Sequence, residues 1–340
     1  MKTLSLILIL VSFQKNSIAQ NSQQVAERVF KENIFEVKNL FLPDDHDLFR
    51  PVISVFDSES HKQYVYDYSQ KNLFMINLKN FDADNLVKIG LGEGSGPGEL
   101  RNPTDICMSK TTNNKKLIVI DTDLSRVNIW DIETNKFEKS FKPKKFNPFR
   151  VACTSSDIVI YNTLGSKRGD YLVYDYQGNE LNSFNDPQKN RNAFLDSGYI
   201  EADSEYIYYA SQGRPTLKTI DRSSKKFVER FSIEPSANKN KISRSTEGEY
   251  IMEKKAENFI YQSRGIGLYD NYVLVLFSGR KDAFGNIIDF YDKKSLDYKF
   301  SSRIDLYSQQ MTISDNILLV RGYDRELNST VFKYYTIGID

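Results

Sequence analysis

Asp131, Asp175 and Asp221 each close a short apolar run, and they follow one another at intervals of 44 and 46 residues. Around each aspartate the same rhythm recurs: an inner apolar run, a second run, a tight polar turn, a third run ending in Asp, and an outer run. The clearest copy is TDICMS (104–109), KLIVID (116–121), RVNIWD (126–131) and KFEKSF (136–141). A period of ~40–50 residues with four strands per unit is the signature of a β-propeller, in which each small sheet buries its faces against the next. Long apolar stripes at helical spacing are absent, which argues against α/β and helical solenoid folds. The next equivalent aspartate, Asp292, comes 71 residues on, and the polar, charged segment 234–258 supplies the excess as one insertion. Six units are counted. The sixth lacks an outer strand, while NIFEVKNL (33–40) is a strand with no hairpin partner beside it. The expectation is an all-β, six-bladed propeller of four-stranded antiparallel blades, formed by residues 20–340 and closed by the N-terminal strand, which removes two exposed sheet edges.

Residues 1–19 read as a targeting segment: Lys2, an apolar run from Leu4 to Phe13, and Ser17-Ile18-Ala19 as a small-residue cleavage signal. The run is shorter than the ~20 residues a membrane-spanning helix needs, and no Cys follows it to carry a lipid. A periplasmic or secreted protein is expected, with no membrane insertion. Asn21 to Lys31 is polar and reads as a frayed end or a short helical turn. Forty-six basic and 45 acidic residues leave a net charge of +1, so no global field points to nucleic acid or to a membrane surface. A monomer is expected. Cys107 and Cys153 are the only cysteines. Aligning Asn102-Pro103 with Asn147-Pro148 sets Cys107 opposite Ala152, one position out of register and on the other strand face. That favours two buried free thiols over a disulfide.

The stretch IVIDTDLSRVNIWD resembles the repeat of NHL-type six-bladed propellers, with Asp121, Thr122, Arg126, Val127 and Trp130 at the matching positions. GSGPGELRNPTDI before it looks like the glycine loop and inner strand of six-bladed propeller proteins exported by Bacteroidota, many of them TolB-like. The match is specific for one unit and loose in the others. The resemblance therefore implies a fold and carries over no chemistry.

Several motifs read as structural. Gly92, Gly94, Gly96 and Gly98 lead into a strand rather than a helix, and no GK[ST] follows, so they suit a crossover between blades better than a phosphate cradle. Asp121-Thr122-Asp123-Leu124-Ser125 begins like a calcium loop but has Arg126 where the turn glycine belongs. It reads as a turn in which side chains bond the backbone, with Arg126 pairing with Asp121. With only His46 and His61 present, a three-histidine metal site is excluded, and the dense Asp44-Asp45-His46-Asp47 run reads as a solvated acidic turn. Asp105 and Glu201 on inner strands are the best channel carboxylates for a metal, and they are two where at least three ligands are needed. No cofactor is expected.

Arginine carries the functional expectation. In a propeller the second-to-third-strand turns and the blade-to-blade crossovers emerge on one face. Those segments carry Arg50, Arg101, Arg126, Arg150, Arg168, Arg214, Arg264, Arg280 and Arg321, with Lys167, Arg191 and Lys281 beside them. A planar guanidinium takes carboxylate, phosphate or sulfate in a fork. Either these arginines brace turns through nearby aspartates, or they form a face that binds an anionic partner, an acidic glycan or an acidic protein. The expected function is accordingly a non-enzymatic binding propeller with its site over the central channel. The alternative is a metal-assisted lactonase, esterase or lyase working in the same channel.

Overall fold

In the computed structural model the apolar runs are strands, and they form six four-stranded antiparallel sheets. The structure describes residues 27–41, 48–79, 82–111, 114–144, 148–162, 170–187, 195–233, 242–244, 250–252, 261–278 and 285–339. The targeting segment at 1–19 and the acidic run around His46 lie outside them.

Blade 1 comprises Pro51–Asp57, Lys62–Asp67, Asn72–Lys79 and Asp82–Lys88. Blade 2 comprises Pro103–Met108, Lys116–Asp121, Arg126–Asp131 and Lys136–Phe141. The inner strands of blades 3, 4, 5 and 6 are Pro148–Cys153, Gly198–Ala202, Ser263–Tyr269 and Tyr307–Ser314. In blade 6 the missing outer strand is Phe35–Phe41, which pairs antiparallel with Ser329–Ile337. Closure by the N-terminal strand is thus as expected.

The core is divided among the six gaps between blades. Ile53, Tyr64, Tyr66 and Met75 of blade 1 pack on Leu117, Val119 and Trp130 of blade 2. The same pattern recurs around the ring, up to Phe56, Val65 and Phe74 of blade 1 against Leu319, Phe332 and Tyr334 of blade 6. A second strand such as Lys116–Asp121 is therefore covered on both faces and buried along nearly its whole length. Its sequence runs LIVI without polar alternation, as expected for a sheet sandwiched between two others.

The periodic aspartates organise the turns. Asp131 accepts the Thr134 N–H at 2.8 Å, Asp221 accepts from Ser224 at 2.9 Å, and Asp292 accepts from Ser295 at 2.9 Å. The Lys116 ammonium and the Thr134 amide together hold the Asp131 carboxyl down at about 2. These are side-chain-stabilised turns of the kind Asp favours.

Two expectations are corrected. Residues 27–31 are neither frayed nor helical: the Lys31 N–H bonds Ser301 O, and the Ser301 N–H bonds Val29 O, along the outer strand of blade 5. Arg28 enters the protein there, donating to both oxygens of the buried Asp289 at 2.8 and 3.0 Å and lying over Phe277. The insertion carries a small hairpin, Ile242–Arg244 paired with Tyr250–Met252. Finally, Cys107 and Cys153 form a disulfide, with Cα atoms 5.7 Å apart. Equivalent positions on opposite strand faces diverge within one sheet. In stacked blades they converge, because the face of blade 2 that looks forward meets the face of blade 3 that looks back. Both cysteines lie in that shared layer, with Ile118, Ile120, Val151 and Ile158.

Candidate functional site

The inner strands surround a central cavity of about 730 Å³. Its wall changes character along the axis. The end where the inner strands begin carries Thr104, Asp105, Arg150, Tyr199, Gln309 and Arg321. Ile106, Met108, Leu268, Met311 and Ile313 follow in the middle, and Asp57, Glu59, Asp270 and Asp315 lie where the strands finish, with Lys110 and Lys115 among them. Gly265 and Gly267 let the inner strands of blades 5 and 6 approach closely: a Cβ at Gly265 would meet Met311 Cγ at 2.7 Å, and one at Gly267 would meet Ile313 Cδ1 at 2.5 Å.

The nine arginines separate into groups. Arg168 and Arg280 lie outside the described residues. Arg50 and Arg101 are exposed on the rim, and Arg50 stacks on Tyr68 with its guanidinium carbon 4.7 Å from the ring centre. Arg126 and Arg214 are braces. Arg214 Nε donates to Asp196 at 2.6 Å. Arg126 does not pair with Asp121; it donates to the carbonyls of Gly96 at 2.7 Å and Ser95 at 2.8 Å, closing the glycine loop. Asp121 instead accepts backbone N–H groups from Arg101, Asn102 and Leu124, which fastens the crossover to the turn. The resemblance motif is therefore structural, and the calcium reading has no free carboxylate at Asp121.

Arg150 and Arg321 differ from Arg214 in bonding groups that carry no charge, as Arg126 also does, and from both braces in lining the channel. Arg150 is buried, with Nε bonded to Gly198 O at 3.0 Å and Nη1 to Thr104 O at 2.9 Å. Its guanidinium sits 4.4 Å from the ring centres of both Phe149 and Tyr199. Arg321 Nη1 bonds Pro51 O and Gln309 Oε1, each at 3.0 Å. Burial, with the repulsion of nearby Arg264, holds its guanidinium down to about 10, so it remains charged at neutral pH. Arg264 itself stacks on Tyr261.

Asp105 stands next to Arg150 and accepts the Val151 N–H at 2.9 Å. Burial pushes its carboxyl up to about 6 against the opposing pull of Arg150. Glu201 is met by Lys110 Nζ at 3.4 Å. Among the described residues no three His, Cys, Asp or Glu side chains group closely enough to hold a metal. Among the described residues, Arg321 Nε, Gln310 Oε1 and Thr312 Oγ1 on the blade 6 wall are buried and have no hydrogen-bond partner. Each unmade bond of this kind costs ~1–3 kcal/mol, so this side of the channel is incompletely satisfied by the protein's own groups. Sequence reasoning singled out Arg150, Arg321 and Asp105 but missed Tyr199, Gln309 and Gln310. Their signal was position at the start of an inner strand.

Comparison with known proteins supports the fold. A putative exported protein from Bacteroides fragilis superposes with a TM-score of 0.57 at 13% identity, over 92% of this chain and 97% of that one. The WD40 repeats of RRP9 give 0.54 at 9% identity, over 88% and 99%, and U3-55K gives 0.52 at 10%, over 89% and 99%. No family model matches the sequence, and no curated protein matches it. At these identities the likeness is one of propeller architecture.

Proposed function

We propose that this chain is an exported, non-enzymatic binding propeller of the NHL-type or TolB-like kind, and that its ligand is an anion taken at the arginine-bearing mouth of the channel. The observation that carries the reading is the contrast between arginines. Arg28 and Arg214 sit on carboxylates, whereas Arg150 and Arg321 face a cavity with their bonds on backbone carbonyls and one amide. Arg321, held by uncharged groups, keeps its charge for a ligand, whereas Arg150 shares its own with Asp105; a fixed fork loses little freedom on binding an anion. Export is supported by the leader-like residues 1–19 and by the likeness to a protein described as exported. The enzymatic alternative would rest on Asp105 and Glu201, and Glu201 is already engaged by Lys110.

The test is equilibrium binding of the purified protein to a panel of carboxylates, sulfates and acidic oligosaccharides at two salt concentrations. Saturable binding that weakens in Arg321→Gln supports the reading. Binding unchanged in that variant, or none across the panel, refutes it.

A further inference from the structure

One level of the channel holds groups of both signs. Arg150 and Arg321 bring positive charge, while Asp105 stands at the same mouth beside Arg150. Gln310 Oε1, a buried acceptor without a partner, sits on the wall between Arg321 and the apolar middle. A bare anion gains from the arginines and is repelled by Asp105. An acidic peptide side chain fares no better, since it places no hydroxyl beside its carboxylate. A molecule with a carboxylate and hydroxyls a few bonds away suits every group. Its carboxylate takes the guanidinium forks and its hydroxyls donate to Asp105, while side-chain rotation would bring the covered Gln310 Oε1, Arg321 Nε and Thr312 Oγ1 into reach of its other hydroxyls. The apolar face of a sugar ring also matches the Tyr199 ring and the Ile106 and Met311 side chains just below.

We infer that the level of Arg150, Arg321, Asp105, Tyr199 and Gln310 is a subsite for a single carboxylate-bearing sugar residue. This rests on the anion-binding reading and narrows it to one class of ligand. The shared chemistry is a uronic acid, either free or at the end of a polysaccharide.

The test titrates the full protein calorimetrically with glucuronate, galacturonate, a tetrauronide, cyclohexanecarboxylate, a neutral hexose and a glutamate-rich peptide. Cyclohexanecarboxylate has the ring and the charge but none of the hydroxyls. The expected result is a uronate bound at least ~10-fold more tightly than cyclohexanecarboxylate, the peptide or the hexose. Asp105→Asn should weaken uronate by roughly 10-fold or more while leaving cyclohexanecarboxylate unchanged or tighter, because a repelling charge is removed. A tetrauronide bound more tightly than the monomer upholds the subsite with a chain end as its source, and equal affinity upholds it with the free sugar acid. If cyclohexanecarboxylate or the peptide binds as well as uronate, the inference is overturned while anion binding stands. If no carboxylate binds at all, the inference fails, and the anion-binding reading fails with it only if the sulfates do not bind either. The ligand comparison on unmodified protein does not depend on any variant folding.

Discussion

Arg28 and Asp289 lie 261 positions apart and form a doubly hydrogen-bonded ion pair that is almost fully removed from solvent. It fastens the segment ahead of the closing strand to blade 5, while that strand itself belongs to blade 6. Arg28→Ala strands a buried carboxylate, and the expected loss is ~3–5 kcal/mol in urea unfolding. A paired Arg28→Met, Asp289→Asn change should recover most of it. If the single variant matches the parent midpoint, the latch contributes nothing to stability.

The Cys107–Cys153 disulfide ties neighbouring blades across 46 residues of chain. Chain-entropy reasoning gives about 4 kcal/mol for a loop of this length. Replacing both cysteines by serine should lower the unfolding free energy by that order under non-reducing conditions. Mild reductant should bring the parent protein to the same value and leave the variant unmoved.

Asp105 gives stability a pH dependence of definite sign. Its folded-state carboxyl is raised to about 6 from an ordinary 3.8, so the native state holds a proton that the unfolded chain has released. Its contribution is full below pH ~4 and is lost as pH rises through ~6, leaving a cost of up to ~3 kcal/mol at neutral pH. Asp105→Asn should therefore stabilise the protein at pH 8 and have little effect at pH 4, as read by melting at both. A bound carboxylate without hydroxyls would raise the Asp105 carboxyl further, so cyclohexanecarboxylate affinity should fall between pH 5 and 7 in the parent and stay flatter in the variant.

Two glycines of the crossover loop should behave differently. Both have positive φ, at +93° for Gly92 and +76° for Gly98. A Cβ at Gly92 meets nothing within 4 Å, whereas one at Gly98 would press on Leu91 Cδ1 at 2.8 Å and Phe137 Cγ at 2.9 Å. Gly92→Ala should cost ~1–2 kcal/mol for the left-handed backbone alone. Gly98→Ala should cost ~1–3 kcal/mol more for the forced repacking. Equal effects in thermal melts would contradict the steric account.

The architecture was legible because it rests on spacing. Asp131, Asp175 and Asp221 recur for one local reason, the turn each one caps, and local reasons survive in a bare sequence. The unpaired strand near Phe35 and the short last unit fitted only if they met. What escaped was contact between blades. Aligning their two repeat units puts Cys107 and Cys153 on opposite strand faces, and those are the faces that meet where blade 2 stacks on blade 3. Arg126 was matched to an aspartate five residues away, although its partners are carbonyls some thirty residues back. Tyr199, Gln309 and Gln310 carry no motif. They become part of a site only because six inner strands converge on one axis.

The pairing of Phe35–Phe41 with Ser329–Ile337 also fixes an order of events. The first blade strand to leave the ribosome must wait for nearly the last before it has a neighbour. Blades 1 to 5 can each assemble from chain already made, through contacts close in sequence. The join cannot, and contacts of such long separation are slow to form. Until it is made, the faces of blades 1 and 6 that later cover each other stay open to water, and the growing protein is a curved stack with two ends rather than a ring.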